Sequence, residues 1–107
     1  MAYLLGADEL DFSKFKNTFV IYQGHHGDKA AHAADIILPG CAYTEKDATY
    51  VNLEGRVQRA YRAVHPPKEA KIDYQIIIEL AEKLGKSLEY KNLIQIREKM
   101  IKNCSTF

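Results

Sequence analysis

The residue types able to do chemistry fall in a few places along the chain. His25, His26 and His32 lie close together, with Cys41 downstream. A helical metal pair needs ligands three or four residues apart, and adjacent histidines diverge in most backbone states. Cys41 has no second cysteine at the short spacing of a zinc site, so no metal ligand is assigned. Residues 24–28 (GHHGD) end an apolar run and open a helix-compatible one. Their backbone N–H groups are placed to meet an anion, which makes Gly24, His25, His26, Gly27 and Asp28 the candidates for cofactor contact. The string is not GxGxxG, however, and no acidic residue closes a ribose site at the expected spacing, so it assigns no dinucleotide. Glu45, Asp47 and Glu54, with Arg56 and His65 nearby, are candidate acids and bases. That work needs a cleft and a shifted pKa, which sequence does not supply. Glu54 and Arg56 read instead as a structural pair that pins an irregular segment. Ser13, Ser87 and Ser105 lack the context of a nucleophile elbow. The two cysteines, Cys41 and Cys104, fall short of the roughly four ligands an iron–sulfur cluster needs. No catalytic residue, metal ligand or firm cofactor-binding residue emerges.

Composition narrows the field further. The 107 residues are 47% hydrophobic and carry a net charge of +1, which suits one domain with a real but modest core. Fifteen basic residues balance 14 acidic ones without long runs of either sign, so nothing favours nucleic acid or an anionic membrane. No apolar stretch approaches the ~20 residues of a transmembrane helix, and the N-terminal residues lack the basic segment and cleavage site of a leader. Two well-separated cysteines point to reduced thiols rather than a disulfide scaffold.

The elements that must position these residues follow from periodicity. Residues 3–7 (YLLGA), 18–23 (TFVIYQ) and 36–38, the last closed by Pro39-Gly40, are short apolar runs. They read as strands covered on both faces of a parallel sheet. Residues 8–16 carry a weak helical pattern through Leu10, Phe12 and Phe15, and Asp28 is placed to cap a short helix through Ala34. The order β-α-β-α-β over residues 1–40 implies an open α/β sheet with right-handed crossovers. Residues 41–67 then form an extended, hairpin-like excursion, with β-rich stretches either side of residues 52–55. In the helical part, residues 68–107, Asp73 is placed to cap a helix to Leu84. That helix turns Ile76, Ile77, Leu80, Ala81 and Leu84 inward, and Gly85 ends it. A last helix over residues 92–103 puts Leu93, Ile96, Met100 and Ile101 on one face. Three short strands offer little sheet to cover two such helices, so the chain is expected to expose an apolar patch or to self-associate.

Read as one string, residues 19–58 are distinctive. Ala34-Asp35-Ile36-Ile37-Leu38-Pro39 is followed by Glu45 and by Thr49-Tyr50-Val51-Asn52-Leu53-Glu54-Gly55-Arg56-Val57-Gln58. This order resembles the molybdopterin-oxidoreductase family, and the helix opening at Asp73 matches the one that follows there. Within the family, Leu5-Gly6-Ala7-Asp8 and Tyr22-Gln23-Gly24-His25-His26-Gly27-Asp28 resemble the branch represented by the large iron–sulfur subunit of respiratory complex I. The resemblance covers nearly the whole chain. The departures are Ala48, where relatives often carry Gly or Ser, and Lys68, where Gly is common after the Pro pair.

The resemblance implies a C-terminal α/β region of a peripheral-arm subunit that carries electrons from NADH, by way of FMN and iron–sulfur clusters, to quinone. Its clusters would sit in a Cys-rich region that these residues do not contain, and the pterin cofactor of the wider family is lost in this branch. Asp35, Pro39, Glu45, Asn52, Glu54, Gly55, Arg56 and Gln58 would then be structural. The implied partners are the rest of that subunit and its peripheral-arm neighbours, on the cytoplasmic face of a bacterial inner membrane or the matrix face of a mitochondrial one. The chain would be an excised piece or a split gene product, inactive alone. The rival readings are part of an active molybdopterin-dependent oxidoreductase, or a free-standing small binding module.

Overall fold

The structure, a computed structural model, describes residues 1–7, 9–27 and 29–104. Asp8, Asp28 and Ser105 lie outside the described residues, so the expected Asp28 cap falls there too. Strands β1 (Ala2–Leu5), β2 (Val20–Gly24) and β3 (Ile36–Pro39) form a parallel sheet in the order β1-β2-β3. Leu4 faces Tyr22 across the first pair and Tyr22 faces Ile37 across the second. The sheet continues for one step beyond β3, where Gly40 bridges Lys71 in parallel. The Lys71 N–H donates to the Pro39 carbonyl (3.1 Å) and the Cys41 N–H to the Lys71 carbonyl (3.2 Å).

The two faces of β2 are filled differently, as the period-two alternation of a strand requires. Val20 and Tyr22 join Leu4 and Ala30 of helix α1 (Lys29–Ala33) in the main core cluster. Phe12 and Phe15, in a 3-10 turn over Phe12–Phe15, pack against that cluster with ring centroids 5.8 Å apart. The expected helix over residues 8–16 shrinks to this turn because Asp11 caps it at once, accepting from the Ser13 N–H (3.2 Å) and hydroxyl (2.6 Å). Ile21 and Gln23 point to the other face. There the fully buried Gln23 meets the first residue of helix α2 (Asp73–Lys83). Each large apolar side chain buried here contributes about 1.5–3 kcal/mol.

The expectation that all three strands are covered on both faces holds for β2 and fails for β3. Ile36 and Ile37 are exposed, because the helix that packs on the sheet, α1, lies over β2 and β3 sits at an edge. Strands β4 (Ala48–Val51) and β5 (Val57–Ala60) form the antiparallel hairpin. Its turn is closed by the Gly55 N–H donating to the Asn52 carbonyl (3.0 Å). Gly55 sits at φ +79°, the left-handed position that such a turn requires.

Helix α2 ends as its sequence indicates. Gly85 adopts φ +71°, and the N–H groups of Gly85 and Lys86 return to the carbonyls of Glu82 (3.0 Å) and Ala81 (2.9 Å), closing a Schellman cap. Helix α3 (Leu93–Asn103) is capped by Asn92, whose side chain accepts the Gln95 N–H at 3.0 Å. The predicted inward faces are only partly covered. Ile76 is buried, but Leu84 is 70% exposed, and on α3 Ile101 is 60% exposed.

Candidate functional site at the strand ends

The carboxyl ends of parallel strands are where open α/β sheets hold ligands, and here they hold a chain of polar side chains. The Tyr3 hydroxyl of β1 donates to Gln23 Oε1. Gln23 Nε2 donates to Asp73 Oδ1 at 3.0 Å, and Lys46 Nζ donates to Asp73 Oδ2 at 2.5 Å. A buried carboxamide without partners would cost about 1–3 kcal/mol; here both ends of Gln23 are satisfied. Burial, and then the Asp73 carboxylate, pushes the Tyr3 hydroxyl above its ordinary value. Burial is also the main cause raising the Cys41 thiol, with Glu45 adding to it. Both effects favour the protonated form of this buried thiol.

Asp73 is thus not the cap expected of it. Ile72 occupies the N-cap position without a side-chain cap bond, and the Asp73 carboxylate turns from the helix end toward Gln23 and Lys46. The helix N-terminus still favours a negative charge there. Two glycines make room for the arrangement. A Cβ on Gly24 would overlap the Tyr22 ring, and one on Gly40 would come within 3.4 Å of Asp73 Oδ1 and 3.5 Å of the Gly24 carbonyl.

Beside this chain lies an open groove of about 540 Å³, bounded by Gly24, His25, His26 and Gly27 on one side and Pro67 and Lys68 on the other. His25 and His26 do not diverge as adjacent side chains usually do; their rings lie 4.2 Å apart, tilted by 44°. Cys41 is buried beside Glu45, Lys46 and Asp73, and among the described residues no three His, Cys, Asp or Glu side chains converge as metal ligands would. Lys68 adopts φ +44°, a left-handed conformation that disfavours side chains. The backbone there has the shape a glycine adopts without cost.

Three of the motif residues, Asp35, Glu45 and Asn52, accept backbone N–H groups. Asp35 Oδ2 accepts the Val20 N–H at 2.7 Å, and the Asp35 N–H returns to the Val20 carbonyl at 2.9 Å; this fixes where β2 and β3 begin to pair. Pro39 closes β3. Glu45 Oε2 accepts the Ala42 N–H at 2.8 Å, and Asp47 Oδ1 the Arg62 N–H at 2.8 Å. The expected Glu54–Arg56 pair does not form. Both side chains are exposed at the hairpin turn, where Asn52 Oδ1 does the pinning by accepting the N–H groups of Glu54 (3.1 Å) and Arg56 (2.8 Å). A short side-chain acceptor next to the turn reaches these donors without ordering two long side chains. Gln58 lies on β5 and His65 in the exposed segment that follows. Sequence reading missed the Tyr3–Gln23–Asp73–Lys46 chain. The available signal was a glutamine ending an apolar strand, since a buried amide must find partners.

The family described as molybdopterin oxidoreductase matches residues 1–83. The chain belongs to this family. Its similarity to individual proteins extends further along the sequence. It is 55% identical over 107 residues to an NADH-quinone oxidoreductase subunit of Rickettsia bellii, covering all of this chain and 16% of that protein. It is 52% identical over 99 residues to the NADH-ubiquinone oxidoreductase 75 kDa subunit of Reclinomonas americana, covering 92% of this chain and 14% of that protein. With the mitochondrial 78 kDa subunit of Neurospora crassa it shares 49% over 100 residues, 92% of this chain and 13% of that protein. The chain thus spans about 16% of the length of the Rickettsia relatives it matches. The complex I branch suggested by the GHHGD string is the one these relatives occupy.

Members of a molybdopterin family raise the question of a pterin at the strand ends. The side chains that turn inward there pair with one another, Gln23 through both its amide oxygen and its amide nitrogen. The groove side chains His25 and His26 are exposed. This donor set does not fit a pterin ring, whose edge needs buried, unspent donors and acceptors.

Proposed function

We propose that this chain is a structural, non-catalytic module of the large iron–sulfur subunit of complex I, NADH-quinone oxidoreductase. The observation that carries the reading is the match at 49–55% identity over nearly all of this chain and only 13–16% of each relative. In the whole assembly, electrons pass from NADH through FMN and iron–sulfur clusters to quinone. This chain contributes no cluster: its sequence holds two cysteines, fewer than the roughly four ligands required. Its partners are the rest of the large subunit and neighbouring peripheral-arm subunits, on the cytoplasmic or matrix face. In keeping with a peripheral position, no helix among the described residues is long and apolar enough to cross a membrane. The exposed Ile36 and Ile37 of β3 and the exposed faces of α2 and α3 are surfaces that the remainder of the subunit would cover.

The test is direct. The purified chain is expected to be colourless, free of stoichiometric iron, and unable to reduce quinone with NADH. A brown protein with stoichiometric iron would overturn the reading. The rival, part of an active molybdopterin enzyme, predicts a fluorescent pterin released on denaturation.

A further inference from the structure

Helix α3 carries a charged side chain whose position the assembly reading does not explain. Arg97 faces a pocket of about 230 Å³ between the helix and the β4–β5 hairpin, lined also by Thr49, Val57, Gln58, Met100 and Ile101. Its Nε and Nη2 atoms are buried and have no hydrogen-bond partner. Buried donors are almost always paired, so two orphaned nitrogens on a half-buried side chain are unusual. The ion pairs among the described residues join Lys46, Lys71, Lys91 and Lys99 to acids, never Arg97.

The identity of the two orphaned atoms is informative. Nε–H and the neighbouring Nη2–H lie along one edge of the guanidinium and point the same way. That edge is the fork that grips both oxygens of a single carboxylate. Arg59 also lines the pocket and adds positive charge. The remaining wall at Val57, Met100 and Ile101 is apolar, which suits a short hydrocarbon stem and not a bare inorganic anion.

We propose that this pocket binds a carboxylate carried on a short aliphatic stem, gripped side-on by Arg97. The group can arrive as a free short-chain carboxylate or as an acidic side chain of another polypeptide segment; the chemistry of capture is the same.

The test follows the Arg97 Nε–H resonance of the whole chain by NMR while butanoate is added, with acetate and butylammonium as comparisons. Butanoate should move the resonance saturably and slow its exchange with water. Acetate should act more weakly for want of the apolar stem, and butylammonium should have no effect. Arg97→Lys keeps the charge but loses the fork, and should weaken binding at least tenfold. Arg97→Met should abolish binding and leave the ligand-free chain as stable as before or more so, which separates loss of the site from loss of the fold. Saturation at submillimolar butanoate assigns the site to a free carboxylate. Saturation only at higher concentration, with Arg97 Nε–H already protected in the intact NADH-quinone oxidoreductase, assigns it to a polypeptide side chain. A resonance that butanoate does not move, or an Arg97→Lys variant that binds equally well, would overturn the proposal. The butanoate result stands whether or not the chain belongs to complex I.

Discussion

The parallel sheet and the hairpin–helix half of this chain solve the same problem to different degrees. In the sheet, β2 is buried on both faces, its glutamine is fully satisfied, and the connecting segments are fastened by Asp35 and by the Tyr3–Gln23–Asp73–Lys46 chain. In the other half, the hairpin is closed by Asn52 and Gly55, α2 is capped at its C-terminus and α3 at its N-terminus, yet α3 buries no residue fully. Local rules are obeyed in both halves; only the first has enough neighbouring surface to turn them into a core. Good caps and amphipathic faces specify a helix, and burial has to come from something to pack against.

That contrast can be broken by mutation. The largest effect should come from Gln23→Leu, which strands the Tyr3 hydroxyl and takes the donor from Asp73 Oδ1, while Lys46 still holds Oδ2. A loss of about 3 kcal/mol is expected in urea unfolding, and a loss below ~0.5 kcal/mol, the range of an ordinary surface change, would remove the network from the account. Gly24→Ala should cost about 1–3 kcal/mol, because the new methyl overlaps the buried Tyr22 ring and the core must shift. Lys68→Gly should stabilise by about 0.5–1 kcal/mol by relieving the left-handed backbone; a decrease would mean that the lysine side chain holds the groove. Ile101→Ala, on the exposed face of α3, should change stability by less than ~0.5 kcal/mol in the isolated chain. A cost typical of a core position there would erase the distinction between the halves.

The same contrast has a pH signature. Tyr3 and Cys41 are acids whose folded-state values lie above their ordinary 10.0 and 9.0. The native state therefore keeps protons that the unfolded chain releases. Their contribution is fully present below the ordinary values and is lost as pH rises through the raised ones, so the sheet half should weaken above about pH 9. In thiol labelling at neutral pH, the exposed Cys104 should react readily and the buried Cys41 only on unfolding.

Much of this was legible in the residues. The apolar runs located all three parallel strands, Asn52 and Gly55 marked the hairpin, and Gly85 ended α2 where its φ later placed it. What was not legible depended on neighbours distant in sequence. Asp73 looked like a cap because sequence shows the helix start but not Gln23, which lies 50 residues earlier and needs an acceptor. Ile36 and Ile37 looked doubly covered because an apolar strand reads the same whether or not its cover lies in the same chain. The histidine pair and the Glu54–Arg56 pair failed for a related reason: turn geometry set where those side chains point. The orphaned Arg97 has no sequence signature at all, since an arginine at that helical position reads as a solvated face.

If other protein completes the second half, hydrogen exchange will show it when these residues are compared in the isolated chain and in an intact NADH-quinone oxidoreductase. The β2 amides should be strongly protected in both, while those of α2 and α3 should exchange quickly alone and gain at least about a hundredfold protection, roughly 2.7 kcal/mol, in the assembly. Helices already as protected as β2 in the isolated chain, or unchanged in the assembly, would contradict it.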